Sequence, residues 1–154
     1  MPIPTLQSNY LPEGIYDCSL EELTCSPFCE NEKRRELFSK LQVYIQRLRE
    51  FGIEGCVILD GSFVTAKEHP NDIDIVLVIN ENQNYSIASP VTNLDYTLFN
   101  DEFVKENFEL HLFIGFTDNN SYNGFDTTAN EWIEFFKGVR ESPVFKKGLL
   151  MVRI

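Results

Sequence analysis

The chain has 154 residues, 43% of them hydrophobic, and carries 24 acids against 13 bases for a net charge of −11. This length suits one domain over residues 1–154 with a core of ordinary size, and the charge opposes a long nucleic-acid footprint, which needs many Lys/Arg contacts to phosphate. No run approaches the roughly 20 apolar residues that span a bilayer, so no membrane insertion is expected, and the opening "MPIPTLQSNYLPEG" has no basic start followed by an apolar stretch, so a cytoplasmic location is expected.

Residues 1–18 read as an irregular N-terminal arm. In "SLEELT", Ser19 can cap a short helix with Glu22 three residues on, a capping box. Cys18, Cys25, Cys29 and Cys56 form no C-x-x-C pair. They read as reduced thiols, with a zinc site on the first three as the lesser alternative. "NEKRRELFSKLQVYIQRLREFG" is the strongest helix: Leu37, Leu41, Tyr44, Ile45 and Leu48 recur at helical spacing and Gly52 ends it. "GCVILD" and "DIDIVLVI" read as strands. A helical segment is expected around Val91 to Asn107, then a strand in "FELHLFIGF", a turn in "DNNSYNG", a short helix in "TANEWIEFFKG" and a last strand in "GLLMVRI". The class is α/β (α+β), a mixed sheet with helices packed on it. The short link between the first two strands argues against a parallel crossover there.

"DIDIVLVI" places two acids in a segment otherwise suited to burial. Residues two apart on a strand face one side, so Asp72 and Asp74 share a face, with Cα atoms about 7 Å apart. Two such carboxylates repel, and a hard divalent cation, Mg²⁺ or Mn²⁺, relieves the repulsion. The plainer alternative is a strand that starts near solvent. Upstream, Gly61 permits an unusual φ or a close approach, and Ser62 offers a hydroxyl and an N–H at the start of a helical turn, suited to phosphate oxygens. Cradle and acid pair together make one site for a nucleoside triphosphate. Thr65 and Lys67, in the loop between them, are further candidates for triphosphate contact. Lys146 and Lys147 in the basic tail are weaker ones.

"DGSFVTAKEHPNDIDIVLV" resembles the active-site signature of the DNA polymerase β-like nucleotidyltransferase superfamily: Gly-Ser, roughly ten residues, then acid-apolar-acid-apolar. Gly61-Ser62 and Asp72-Ile73-Asp74-Ile75 fill its two parts, and small stand-alone bacterial proteins of minimal-nucleotidyltransferase type are the nearest kind. The resemblance implies a polymerase β palm-like fold and metal-dependent transfer of a nucleoside monophosphate to a hydroxyl acceptor. It also implies a bacterial toxin–antitoxin or antiphage setting with a protein partner, a toxin or effector. A catalytically degenerate antitoxin acting by contact, and a synthase of short oligonucleotide signals, are the alternatives. The pattern calls for a third acid on a neighbouring strand. Glu109 is preferred as third metal ligand or general base, and His111, two residues on, is the alternative third position.

Overall fold

The computed structural model describes residues 3–82 and 97–154. A five-stranded mixed sheet is built from β1 (Ile15–Asp17), β2 (Gly55–Asp60), β3 (Ile73–Ile79), β4 (Leu110–Phe116) and β7 (Leu149–Arg153), in the order β1-β7-β2-β3-β4. β5 (Gly138–Val139) and β6 (Ser142–Lys146) pair as a separate ribbon. The helices are α1 (Leu20–Thr24), α2 (Glu32–Glu50), α3 (Asp101–Phe108) and α4 (Thr127–Lys137), with 3₁₀ turns at Pro27–Cys29 and Gly61–Val64. No described helix is long and apolar enough to cross a membrane.

Strand alternation divides the core into two layers. Val57, Leu59, Ile73, Ile75, Leu77 and Ile79 face α2, whose Leu37, Leu41, Tyr44, Ile45 and Leu48 are fully buried at the expected spacing. Cys56, Ile58, Val76 and Val78 face the other way, onto Ala129, Ile133 and Phe136 of α4. α4 comes this close because β4 offers Gly115: a Cβ there would run into the Ala129 backbone. Local signals explain the helix starts. Ser19 and Glu22 form the capping box, Asn31 caps α2 by accepting from the Arg34 amide, and Asp126 caps α4 by accepting from the Ala129 amide.

The short link after β2 has the expected outcome, since β2 and β3 pair antiparallel while β3 and β4 pair parallel. The arm differs from expectation. Ile15–Asp17 is a strand, parallel to β7, and the chain before it bonds onto the body through Ala66 N–H to Asn9 C=O (2.9 Å) and Gly148 N–H to Leu11 C=O (2.9 Å). Three residues carry too weak a pattern to be read as a strand without the distant partner. The β5–β6 ribbon in "GVRESPVFK" is likewise additional. The described helix before β4 runs over Asp101–Phe108, one residue into what reads as strand, and the first part of the expected helix, residues 91–96, lies outside the described residues.

Candidate functional site

β2 ends where β3 and β4 begin, so three strands deliver their terminal side chains to one end of the sheet. Asp60 of β2 stands directly across from Asp74 of β3, and Asp74 stands beside His111 of β4. By alternation all three lie on the α4 side, the face that carries Ile58, Val76 and Val78 deeper in the sheet. His111 Nδ1 is 3.4 Å from Asp74 Oδ1, and its Nε2 is 3.9 Å from Oδ2 of Asp101 at the start of α3.

Gly61 turns the chain out of β2 with φ +77°, a conformation that favours glycine. A Cβ on it would land on Asp74 Oδ2, so the turn closes directly onto the acid. The 3₁₀ turn that follows buries Phe63 and Val64 and leaves Ser62 half-exposed. Its backbone is held from behind by Arg34 of α2, only 2% exposed, which stacks beside the Phe28 and Phe63 rings. The guanidinium donates to the carbonyls of Phe63 (2.7 Å), Thr65 (2.8 Å) and Lys67 (2.5 Å). Thr65 Oγ1 donates to Ser62 C=O (2.6 Å) and accepts from Lys67 N–H (3.2 Å). The loop is thus pinned by its carbonyls on the α2 side. Gly61, Ser62, Thr65, Lys67, Asp74 and Lys147 line an open cavity of about 860 Å³, and Tyr10, Phe135, Arg140 and Glu141 close its far side.

The electrostatics are unusual for a stable core. Asp60 is 0% exposed and, among the described residues, neither carboxylate oxygen has a hydrogen-bond partner. Burial, then the charge of Asp74, pushes its carboxyl well above the usual range, with Lys147 opposing. Asp74 is also raised, by burial first and then by Asp72, against the pull of His111. A carboxylate buried without partners is costly, and a pair of carboxyls raised by burial and by neighbouring acids marks a candidate functional site.

The preference for Glu109 is corrected by the geometry. α3 persists to Phe108, and Glu109 caps it in the left-handed conformation, φ 53°, so strand alternation does not reach it. Its carboxylate is held by Lys40 (3.0 Å) and Lys33 (3.4 Å) of α2, away from Asp74. His111 therefore occupies the place beside Asp74. Asp72 precedes β3, is half-buried, and acts on Asp74 through its charge without lining the cavity. Asp60 and Arg34 are additions to the expected residues. Asp60 was legible in "GCVILD", because alternation from Cys56 and Ile58 puts it on the face of Asp74. Arg34 carried no such signal.

Asp72 and Asp74 are oxygen donors of the kind a hard cation takes, two carboxylates being the usual protein share of a Mg²⁺ site that substrate phosphates complete. Among the described residues no three His, Cys, Asp or Glu side chains are arranged to hold a metal by themselves. A Mg²⁺ shared with a phosphate ligand would draw on donors of this kind; of the two, Asp74 lines the cavity and Asp72 does not. The four thiols are free; burial pushes those of Cys18, Cys29 and Cys56 up to about 11, while Cys25 is exposed.

Residues 4–153 match the model of a family of unknown function, DUF6932, and the chain belongs to that family. No curated protein and no solved structure matches it.

Proposed function

We propose that this member of DUF6932 is a metal-dependent nucleotidyltransferase with a polymerase β palm-like fold, moving a nucleoside monophosphate from a nucleoside triphosphate to a hydroxyl acceptor. One observation carries the reading: Gly61 leaves β2 with positive φ and sits so close to Asp74 Oδ2 that no side chain fits between them. The two halves of "GSFVTAKEHPNDID" therefore meet at one point, as a phosphate cradle facing an acid pair requires.

Ser62, with the adjoining backbone, would bind phosphate oxygens, and Lys67 would reach them from the loop's exposed side. Thr65, engaged with Ser62 and Lys67, would keep the cradle in shape. Asp72 and Asp74 would hold Mg²⁺, which when bound supplies positive charge to the triphosphate oxygens. The acceptor hydroxyl would attack the α-phosphorus; the new O–P bond forms, the Pα–O–Pβ bond breaks, and pyrophosphate leaves. His111 would take the hydroxyl proton at Nε2, its Nδ1 being turned to Asp74. A protein acceptor or partner from a toxin–antitoxin or antiphage system is proposed on the resemblance of the motif.

A specific observation favours a second reading. His111 stands where the motif's relatives would carry a third acid, and a site so altered suits a binding protein that neutralises its partner by contact. Incubation with each α-labelled triphosphate, Mg²⁺ or Mn²⁺ and candidate acceptors decides. Label transfer with pyrophosphate release, lost in Asp74→Asn, is expected. Triphosphate binding without release, or no triphosphate binding at all, would overturn the transferase reading and favour the binder, which acts by contact and needs no nucleotide.

A further inference from the structure

Among the described residues that line the cavity, Lys147 is the half-buried cation, Lys67 and Arg140 being exposed. It sits in the turn between β6 and β7, fixed by three backbone anchors. Its own N–H donates to Lys137 C=O (2.8 Å), the next N–H to Leu11 C=O (2.9 Å), and a Cβ on Gly148 would collide with Pro12 C=O. Its ammonium lies 5.9 Å from the centre of the Tyr10 ring, and Tyr10 in turn donates to Glu141 Oε2 (3.3 Å). Among the described residues Lys147 forms no ion pair within 4 Å, although the charges of Asp60, Asp74 and Glu141 all act on it. It is held in place, partly desolvated, and turned to the same space as Gly61 and Ser62.

We infer that Lys147 binds the phosphate tail of the triphosphate, in the cavity it lines together with Gly61, Ser62 and Lys67. This rests on the nucleotide reading and deepens it. The N-terminal arm then becomes part of the site, because Tyr10 and Leu11 set the position of the ammonium.

The rival role for Lys147 is only to offset the charge of Asp60 and Asp74, and the test separates the two. Inorganic triphosphate, ATP and AMP are titrated calorimetrically with Mg²⁺ into the wild type, Lys147→Met, Lys147→Arg and Lys147→Met/Asp60→Asn, with folding checked by circular dichroism. The double variant removes one half-buried cation together with one buried acid, so it carries the test where the single variant does not fold. Lys147→Met is expected to weaken triphosphate and ATP by roughly tenfold or more, as for loss of one charge-assisted contact, with AMP changed less than about threefold. Lys147→Arg should keep most of the affinity, and Asp60→Asn should not restore it to Lys147→Met. Wild-type triphosphate affinity in Lys147→Met, or its restoration in the double variant, would overturn the inference and leave the nucleotide reading standing. A wild type that binds neither triphosphate nor ATP would overturn both.

Discussion

Two acids at one end of the sheet are treated in opposite ways. Glu109 lies on the α2 side, where Lys40 and Lys33 hold it, and their hydrogen bonds and charge keep its carboxyl below the usual range. Asp60 lies on the α4 side, fully buried, without a hydrogen bond among the described residues, and raised well above the usual range. The chain has lysines to spend and places two of them on the half-exposed acid. Where an acid fastens α3 to α2, its counter-charge comes from a neighbouring helix. On the α4 side Asp60 has no such partner among the described residues, and its neighbour Asp74 has only His111 beside it, with the charge of Lys147 acting on both acids.

The comparison can be broken most severely at Gly61. Gly61→Val puts a branched side chain at φ +77° and onto Asp74. It should abolish triphosphate binding and destabilise the fold by about 2 kcal/mol through backbone strain. Wild-type binding in this variant, measured by calorimetry, would refute the joined site. Arg34→Met comes next. It strips donors from the carbonyls of Phe63, Thr65 and Lys67 and should cost about 3 kcal/mol in denaturant unfolding. Arg34→Lys should recover little, since one ammonium cannot span carbonyls fanned across that loop.

A subtler contrast pits His111 against Glu109. His111→Ala should slow transfer by roughly tenfold to a hundredfold, as for a lost general base. Glu109→Gln should leave transfer within about twofold, because its carboxylate is engaged on the other side of the sheet. The opposite ranking in a pyrophosphate-release assay would return Glu109 to the site.

The smallest effect is a pair of slopes in stability against pH, read in metal-free buffer. Asp60 has a raised folded pKa, so its favourable contribution is complete below about pH 4 and is lost as pH rises through the folded value. Glu109 is lowered, so its contribution is present above about pH 4.3 and is lost as pH falls through the folded value. Asp60→Asn should flatten the decline toward neutral pH, and Glu109→Gln the decline toward acid. Parallel curves for both variants and the wild type would show that the two acids are not distinguished as described.

The joined site was legible because only 11 residues separate Asp60 from Asp72, too few for an easy crossover, and antiparallel return brings the end of one strand to the start of the next. Alternation did the rest for Asp74 and would have done it for Asp60. It failed at Glu109 because the helix ran on and one positive φ broke the period. Arg34 is one of several charged residues on α2. Its burial depends on carbonyls about 30 positions away along the chain, which no local pattern encodes. β1 was unreadable for a similar reason, its partner β7 lying at the other end of the sequence.

That partnership bears on how the molecule comes into being. β7, which follows the other four strands of the sheet in the chain, lies inside the sheet between β1 and β2, the two that come first. At roughly 5–20 residues per second, β1 waits on the order of ten seconds for the strand it pairs with. Over that interval β2 can join β3 and then β4, but β1 and the arm before it have no edge to dock on, and the turn that carries Lys147 has not left the ribosome. The cavity that Lys147 lines is completed only when β7 inserts between two strands that precede it in the chain.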